Sequence, residues 1–382
     1  MQKRIRIVSV SIILVILLIG IIVMNNNSNN KYSFTQDGIK YALTLDGEKT
    51  TSFPPKGMYK AQVTCVGADG RWLYDEWKLA IENITSDDVT CDINFSTITK
   101  TNLNDYIISL AGSAQGTGQV VNENGYRYEG KNPNNYIWFN NEYWRIIGVF
   151  DSASHGVSGK NLVKIIRADV LDGLAWHKSN TNDWTASSLK SLLNGAYYNA
   201  QDGTSSGYCY GYSTIATANC DYTKRGIQSG YRGMIANVTW YLGGFSRTSA
   251  TTSAFYGYER GTTVYSGRPT STTGYIGLMY PSDYGYSVLS SSCTRTTNLG
   301  SYNSAKCAGQ SWLYGKGYEL TLTPDSSSSD CVFSLYYNGN LNSNNAFNGS
   351  GSRPVLYLDA SVYKVDGDGS LNNPYIVGLW WV

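Results

Sequence analysis

The chain has 382 residues, and 42% of them are hydrophobic, enough for two folded units with cores of their own. Only 15% are charged, while Gly (40) and Tyr (32) are abundant, a balance that favours β structure joined by turns. The formal net charge of +2 includes Lys3, Arg4 and Arg6, so the rest of the chain is close to neutral and lacks the basic footprint of a nucleic-acid binder.

Residues 1–6 are basic and 7–24 (Ile7–Met24) are uncharged, which predicts a cytoplasmic N-terminus followed by a single transmembrane helix. A cleaved signal peptide is the rival, but the apolar run is long for one and no small-residue cleavage site follows. The expected topology is a single pass through the cell membrane, with the later domains extracytoplasmic. After a polar spacer (25–31), residues 32–98 read as a small all-β module. Its strands "YSFTQ", "KYALTLDG", "YKAQVTCVG", "WKLAIENI" and "VTCDINF" are separated by Gly, Asp or Pro. Residues 99–133 read as a linker with a short helix at "NLNDYIISLAG", and a larger domain follows over 134–378.

The larger domain opens with the aromatic run "YIWFNNEYWRIIGVF", two strands around an Asn-Asn turn, followed by the strand "NLVKIIRADVL". Leu189, Leu192, Leu193 and Tyr197 recur at helical spacing, and a second helix is expected around Met234–Leu242. Residues 245–350 are rich in Ser, Thr, Gly, Tyr and Asn, so long loops are expected there with short strands at "YIGLMY", "YELTL" and "CVFSLYY".

Seven cysteines without a C-x-x-C pattern point to disulfides rather than zinc. Neighbours in sequence pair as Cys65–Cys91, Cys209–Cys220 and Cys293–Cys307, leaving Cys331 free. The two histidines, His155 and His177, are far apart in sequence and read as solvated loop residues, so a catalytic zinc site is not expected. "GTSSG" (203–207) matches a nucleophile elbow in letters but lacks the flanking strand and helix. "DGDGS" (366–370), with Asp366 and Asp368, reads as a glycine turn rather than a calcium loop, because Val377 stands where an EF-hand needs Glu. Asp283, Asp325 and Asp330 are dispersed, and no metal or other cofactor is expected.

"YWRIIGVF", "DWTASSLKSLLNGAYYN", "GLMYPSDYGYS", "SWLYG" and "SRPVLYLDASVYKVDGDGSLNNPYIV" together resemble an uncharacterised bacterial extracytoplasmic domain family. That family is similar in layout to C-type-lectin-like and formylglycine-generating-enzyme-like folds. The resemblance covers about 134–378 and implies an α+β, C-type-lectin-like head with short antiparallel strands, two helices and long loops. Its first strand would be "YIWFNNEYWRII" and its last "RPVLYLD". The calcium motifs of sugar-binding C-type lectins and the cysteine motif of the oxidase are absent, so neither activity carries over. The expected function is metal-free binding of a protein or glycan ligand at the cell surface through Tyr/Asn/Ser loops. Arg268, Tyr284, Tyr286 and Trp312 are the expected contacts, since Arg, Tyr and Trp are the usual interface anchors. An extracytoplasmic hydrolase or oxidase using a cleft of the head, or a structural envelope protein, are the alternatives.

Overall fold

The computed structural model describes residues 14–15, 34–36 and 39–379, apart from 75, 213–218, 247–249 and 316. The chain divides into two compact units, Met1–Lys100 and Thr101–Val382.

In the first unit, Ile39–Leu45 runs parallel to Val89–Thr97, which pairs on its other side with antiparallel Tyr59–Val66. Alternation is strict along Val89–Thr97: Val89, Cys91, Ile93 and Phe95 point inward and the residues between them do not, as a half-buried strand requires. Trp72 caps this core, its ring edge-on to those of Phe53, Trp77 and Phe95 at 5.0–5.3 Å. Cys65 and Cys91 face each other across the Tyr59–Val66/Val89–Thr97 ladder and are bridged.

The second unit is organised by the nine-residue strand Glu142–Phe150. One edge is shared by Tyr136–Phe139 and by the start of Tyr126–Asn132; the other is covered by Leu162–Arg167. Its aromatic and β-branched residues from Trp144 to Phe150 are buried, so this part of the aromatic run is core, while Tyr143 is exposed and Tyr136 and Trp138 are part-buried. The turn before it places both Asn140 and Asn141 at φ 59°, the paired left-handed geometry that tight hairpins prefer and that Asn tolerates. The sheet extends to eleven strands. Leu162–Arg167 pairs with Val355–Leu358, while Tyr136–Phe139 runs parallel to Tyr375–Leu379, which in turn borders Val362–Asp366 and then Thr101–Asn102. A second sheet of five strands takes the order Gly173–Ala175, Gly349–Gly351, Glu319–Pro324, Cys331–Leu335, Leu341–Asn345.

Several expectations need correction. The chain is strand-rich, with a large curled sheet, and does not reduce to a C-type-lectin-like head with two helices. The strand at "RPVLYLD" pairs with Leu162–Arg167, and it is Tyr375–Leu379 that joins the opening strand. The transmembrane helix expected over residues 7–24 lies almost wholly outside the described residues. Residues 1–31 lie outside the described residues except Leu14–Val15, which form a short strand against Lys78–Glu82. Among the described residues no helix is long and apolar enough to cross a membrane. The helix expected around Met234–Leu242 is instead a turn of helix at Ser229–Arg232 followed by the strand Val238–Tyr241. Residues 101–133 carry the helix Leu103–Ser109 and then the strands Thr117–Asn122 and Tyr126–Asn132 of the large sheet. Among the described residues, the loop-rich stretch 245–350 holds two α-helices, Thr252–Glu259 and Pro281–Ser287, and two short 3-10 turns.

All three cysteine bridges form, Cys65–Cys91, Cys209–Cys220 and Cys293–Cys307, and Cys331 is a free, part-buried thiol.

Candidate functional site

Three of the four residues expected as exposed contacts are interior. Tyr284 is fully buried and its hydroxyl donates to the Gly339 carbonyl at 2.7 Å. Tyr286 is buried on the same helix, and its hydroxyl accepts from Asn124 at 2.8 Å. Trp312 donates through Nε1 to the Tyr128 carbonyl at 2.8 Å, with the Arg145 guanidinium 4.7 Å above its ring. Arg268 is half-buried and engaged with its own fold: it donates to Asn182, to Thr181 and to the Ser329 carbonyl, pinning one loop to another. The Tyr/Gly/Ser context suggested surface loops, but Tyr284 and Tyr286 lie on a buried helix, where one hydroxyl donates to a backbone carbonyl and the other accepts from the Asn124 amide.

Both histidines are also interior. His155 bridges the Phe150 carbonyl and the Val157 amide, and His177 accepts from the Ser179 amide; burial lowers the pKa of each. Asp325 ties Ser327 to Ser343 through its two oxygens, and Asp368 caps a turn in which Gly367 and Gly369 take positive φ. Asp330 accepts from Asn180 and Ser328. Ser205 of "GTSSG" lies in a turn. Among the described residues no group of three or more His, Cys, Asp and Glu side chains could hold a metal ion.

What does reach solvent includes a set of aromatic residues at the ends of two strands of the five-stranded sheet, Glu319–Pro324 and Cys331–Leu335. Tyr318 and Tyr337 are 45% and 60% exposed, and their ring centres are 5.6 Å apart. Tyr336 completes the group, 4.9 Å from Tyr318. The turn Tyr336–Asn340 that carries two of these rings is held from beneath. Tyr336 exchanges backbone bonds with Asn340 and Gly339, and the Tyr284 hydroxyl binds Gly339. Tyr314 donates to the Tyr337 carbonyl at 2.5 Å. Gly339 has φ 90°, and a Cβ there would stand 2.3 Å from Ala308, so the turn requires glycine. Asn338 and Asn342 are exposed and follow these rings in sequence; their side-chain oxygens accept from the Asn340 and Ser343 amides.

The strand Gly349–Gly351 connects this group to a second one. Gly351 pairs with Glu319 and receives the Tyr318 carbonyl on its amide, with Val170 close by. Gly349, two residues away and therefore about 7 Å along the strand, abuts the Gly211 carbonyl. Here the loop Tyr208–Tyr212 is fixed by the Cys209–Cys220 bridge and by the bond from the Ala175 amide to the Tyr210 carbonyl. Tyr208 and Tyr212 are 44% and 52% exposed, and Tyr212 packs edge-on against Phe347 at 5.3 Å. The glycines leave room for the chains that carry these tyrosines to approach the sheet. Tyr208 and Tyr212 were recognisable in sequence as tyrosines in a Gly/Ser loop; Tyr318 and Tyr337 were hidden because "YELTL" and "CVFSLYY" read as strand ends.

No family model matches the chain, and neither a curated protein nor a solved structure matches it significantly.

Proposed function

We propose that the second unit is a binding module that holds a glycan on the tyrosine cluster at the edge of its five-stranded sheet, where two strands end, outside the cytoplasm. The observation that carries this reading is the group of exposed Tyr318 and Tyr337 with part-buried Tyr336, set on a fixed turn, with exposed Asn338 and Asn342 close by in sequence. Tyrosine offers a broad apolar face with a polar tip at low entropy cost, suited to the C–H faces of a sugar ring. Asn amides both donate and accept, as sugar hydroxyls require. Binding residues set at strand ends and on a pinned turn lose little freedom when ligand arrives. The three disulfides suit an oxidising compartment. The strongly perturbed acid and base groups, Glu259 and Lys164, are buried in the core and away from solvent, which favours binding over catalysis as the role of the exposed surface.

The test is capture on immobilised cell-envelope and plant polysaccharides and on a glycan array, with and without a chelator. The wild-type chain should bind at least one polysaccharide equally in both conditions. Tyr318→Ala with Tyr337→Ala should weaken capture by about tenfold or more, from about 0.5–1.5 kcal/mol per lost aromatic contact. The melting temperature should stay nearly constant, since exposed substitutions usually change stability by less than about 0.5 kcal/mol. Undiminished capture by the double variant would reject the assignment. Capture of a protein but no glycan, lost in the same variant, would replace the glycan by a protein ligand on the same surface.

A further inference from the structure

The aromatic run that opens the second unit has two faces, because side chains alternate along Tyr136–Phe139 and Glu142–Phe150. Ile137, Phe139 and Trp144 turn into the core. Tyr136, Trp138, Tyr143 and Arg145 share the opposite face, where Tyr136 stands across the hairpin from Arg145 and Trp138 from Tyr143. The rings form a row. Tyr143 is 37% exposed and lies edge-on to Trp138 and Tyr136, with ring centres 5.1 and 6.0 Å away. At the end of the row the Arg145 guanidinium is flanked by the rings of Tyr136, at 4.1 Å, and Trp312, at 4.7 Å.

Arg145 differs from the other buried cations of this unit. Among the described residues these are Arg127, Lys164 and Arg353. Asp283 pairs with the first two, and Glu319 holds Arg353 through both oxygens, at 2.5 and 2.9 Å. Arg145 is 8% exposed and forms no ion pair among the described residues. Its Nε donates to the Asn135 side-chain oxygen at 2.8 Å, and Nη2 to the Pro133 carbonyl and the Asn132 side-chain oxygen at 3.3 and 3.4 Å. These acceptors are neutral, and Nη1 donates to none of the described residues. Burial pulls the pKa of Arg145 down to about 10; Tyr136 works against that shift, Arg353 adds to it, and no carboxylate takes part. The nearest acids along the chain connections are committed elsewhere. Glu319 serves Arg353, and Asp368 caps its own turn at the Ser370 amide.

A desolvated charge without a counter-charge is costly, so a partner from outside is favoured. One uncompensated cation calls for a monoanion. A guanidinium with free in-plane donors matches a carboxylate, whereas a phosphate monoester brings about two charges at pH 7. The Tyr and Trp faces beside it suit the apolar face of a ring. We propose that this face binds an acidic sugar, with the carboxylate on Arg145 Nη1 and the sugar ring against Tyr136, Trp138 and Tyr143. The site stands on residues other than the tyrosine group at the strand ends, so it holds or fails independently of the function proposed for that group.

The experiment is calorimetric titration of the full chain with short oligomers of galacturonate and of glucuronate, and with their methyl esters, which keep the rings and remove the charge. At least one acid should bind, and its ester should bind about tenfold more weakly or worse. Arg145→Gln should weaken binding of the acid by about tenfold or more and leave that of the ester unchanged. Tyr143→Ala, at an exposed position, should also weaken the acid while the melting temperature stays near wild type. Where Arg145→Gln does not fold, Tyr143→Ala and the comparison of acid with ester decide. Failure of both acids to bind, equal binding of acid and ester, or full binding by Tyr143→Ala would overturn the proposal. Binding of poly-glutamate in place of the uronates would overturn it in favour of an acidic peptide on the same arginine.

Discussion

Asp283→Ala is expected to destabilise the second unit by about 3–5 kcal/mol, enough to unfold many domains outright. The carboxylate is the shared partner of Arg127 and Lys164, and all three side chains are about 1% exposed or less. Removing it leaves two interior cations facing each other without compensation, and it also frees the Tyr280 amide at the start of the helix Pro281–Ser287. The same arrangement makes a pH prediction. Burial works against the Asp283 charge, but Lys164 and Arg127 overcome it and hold the carboxyl below the ordinary aspartate range. A depressed pKa means that its stabilisation is complete above the unfolded value near 4 and is lost as pH falls through the folded value. Urea unfolding at pH 7 should show the loss in Asp283→Ala. The gap between variant and wild type should narrow below about pH 4. A variant as stable as wild type at pH 7 would show that the cluster is not the structural knot described here.

The second large effect is expected in the first unit. Cys65→Ser with Cys91→Ser should cost about 3–4 kcal/mol, the loop-entropy value for a bridge closing 26 residues. The unit has a core of modest size around Trp72, Ile81, Ile93 and Phe95, and small cores seldom exceed this by much. Limited proteolysis should then cut within 39–97 under conditions that leave 101–379 intact. Equal protease resistance of wild type and variant would mean that the Phe53, Trp72, Trp77 and Phe95 rings hold the unit without the bridge.

Much of the first unit was legible because its strands alternate cleanly and its turns carry Gly, Asp and Pro. The Asn-Asn hairpin and the disulfides were legible for similar local reasons: turn chemistry at Asn140–Asn141, and near-neighbour cysteines. The helix Pro281–Ser287 was missed although Pro281 and Asp283 stand where a helix start favours them; the Gly/Tyr/Ser composition masked it. Tyr284 shows why the site was not legible. Tyrosine in a polar stretch serves equally as an exposed contact or as a buried brace, and only the distant Gly339 carbonyl decides. The charged residues of the interior cluster come from strands and helices 156 residues apart at the extreme, so no local pattern could have joined them.

The run of neighbours Tyr375–Leu379, Val362–Asp366 and Thr101–Asn102 has a mechanical meaning. The first and last strands of the second unit are separated by a single strand antiparallel to both, so they run parallel about 10 Å apart and their flanking chain points away in opposite directions. A pull applied to both flanks is therefore borne by the ladders of these three strands, while Glu142–Phe150, embraced along both edges, is shielded from the load.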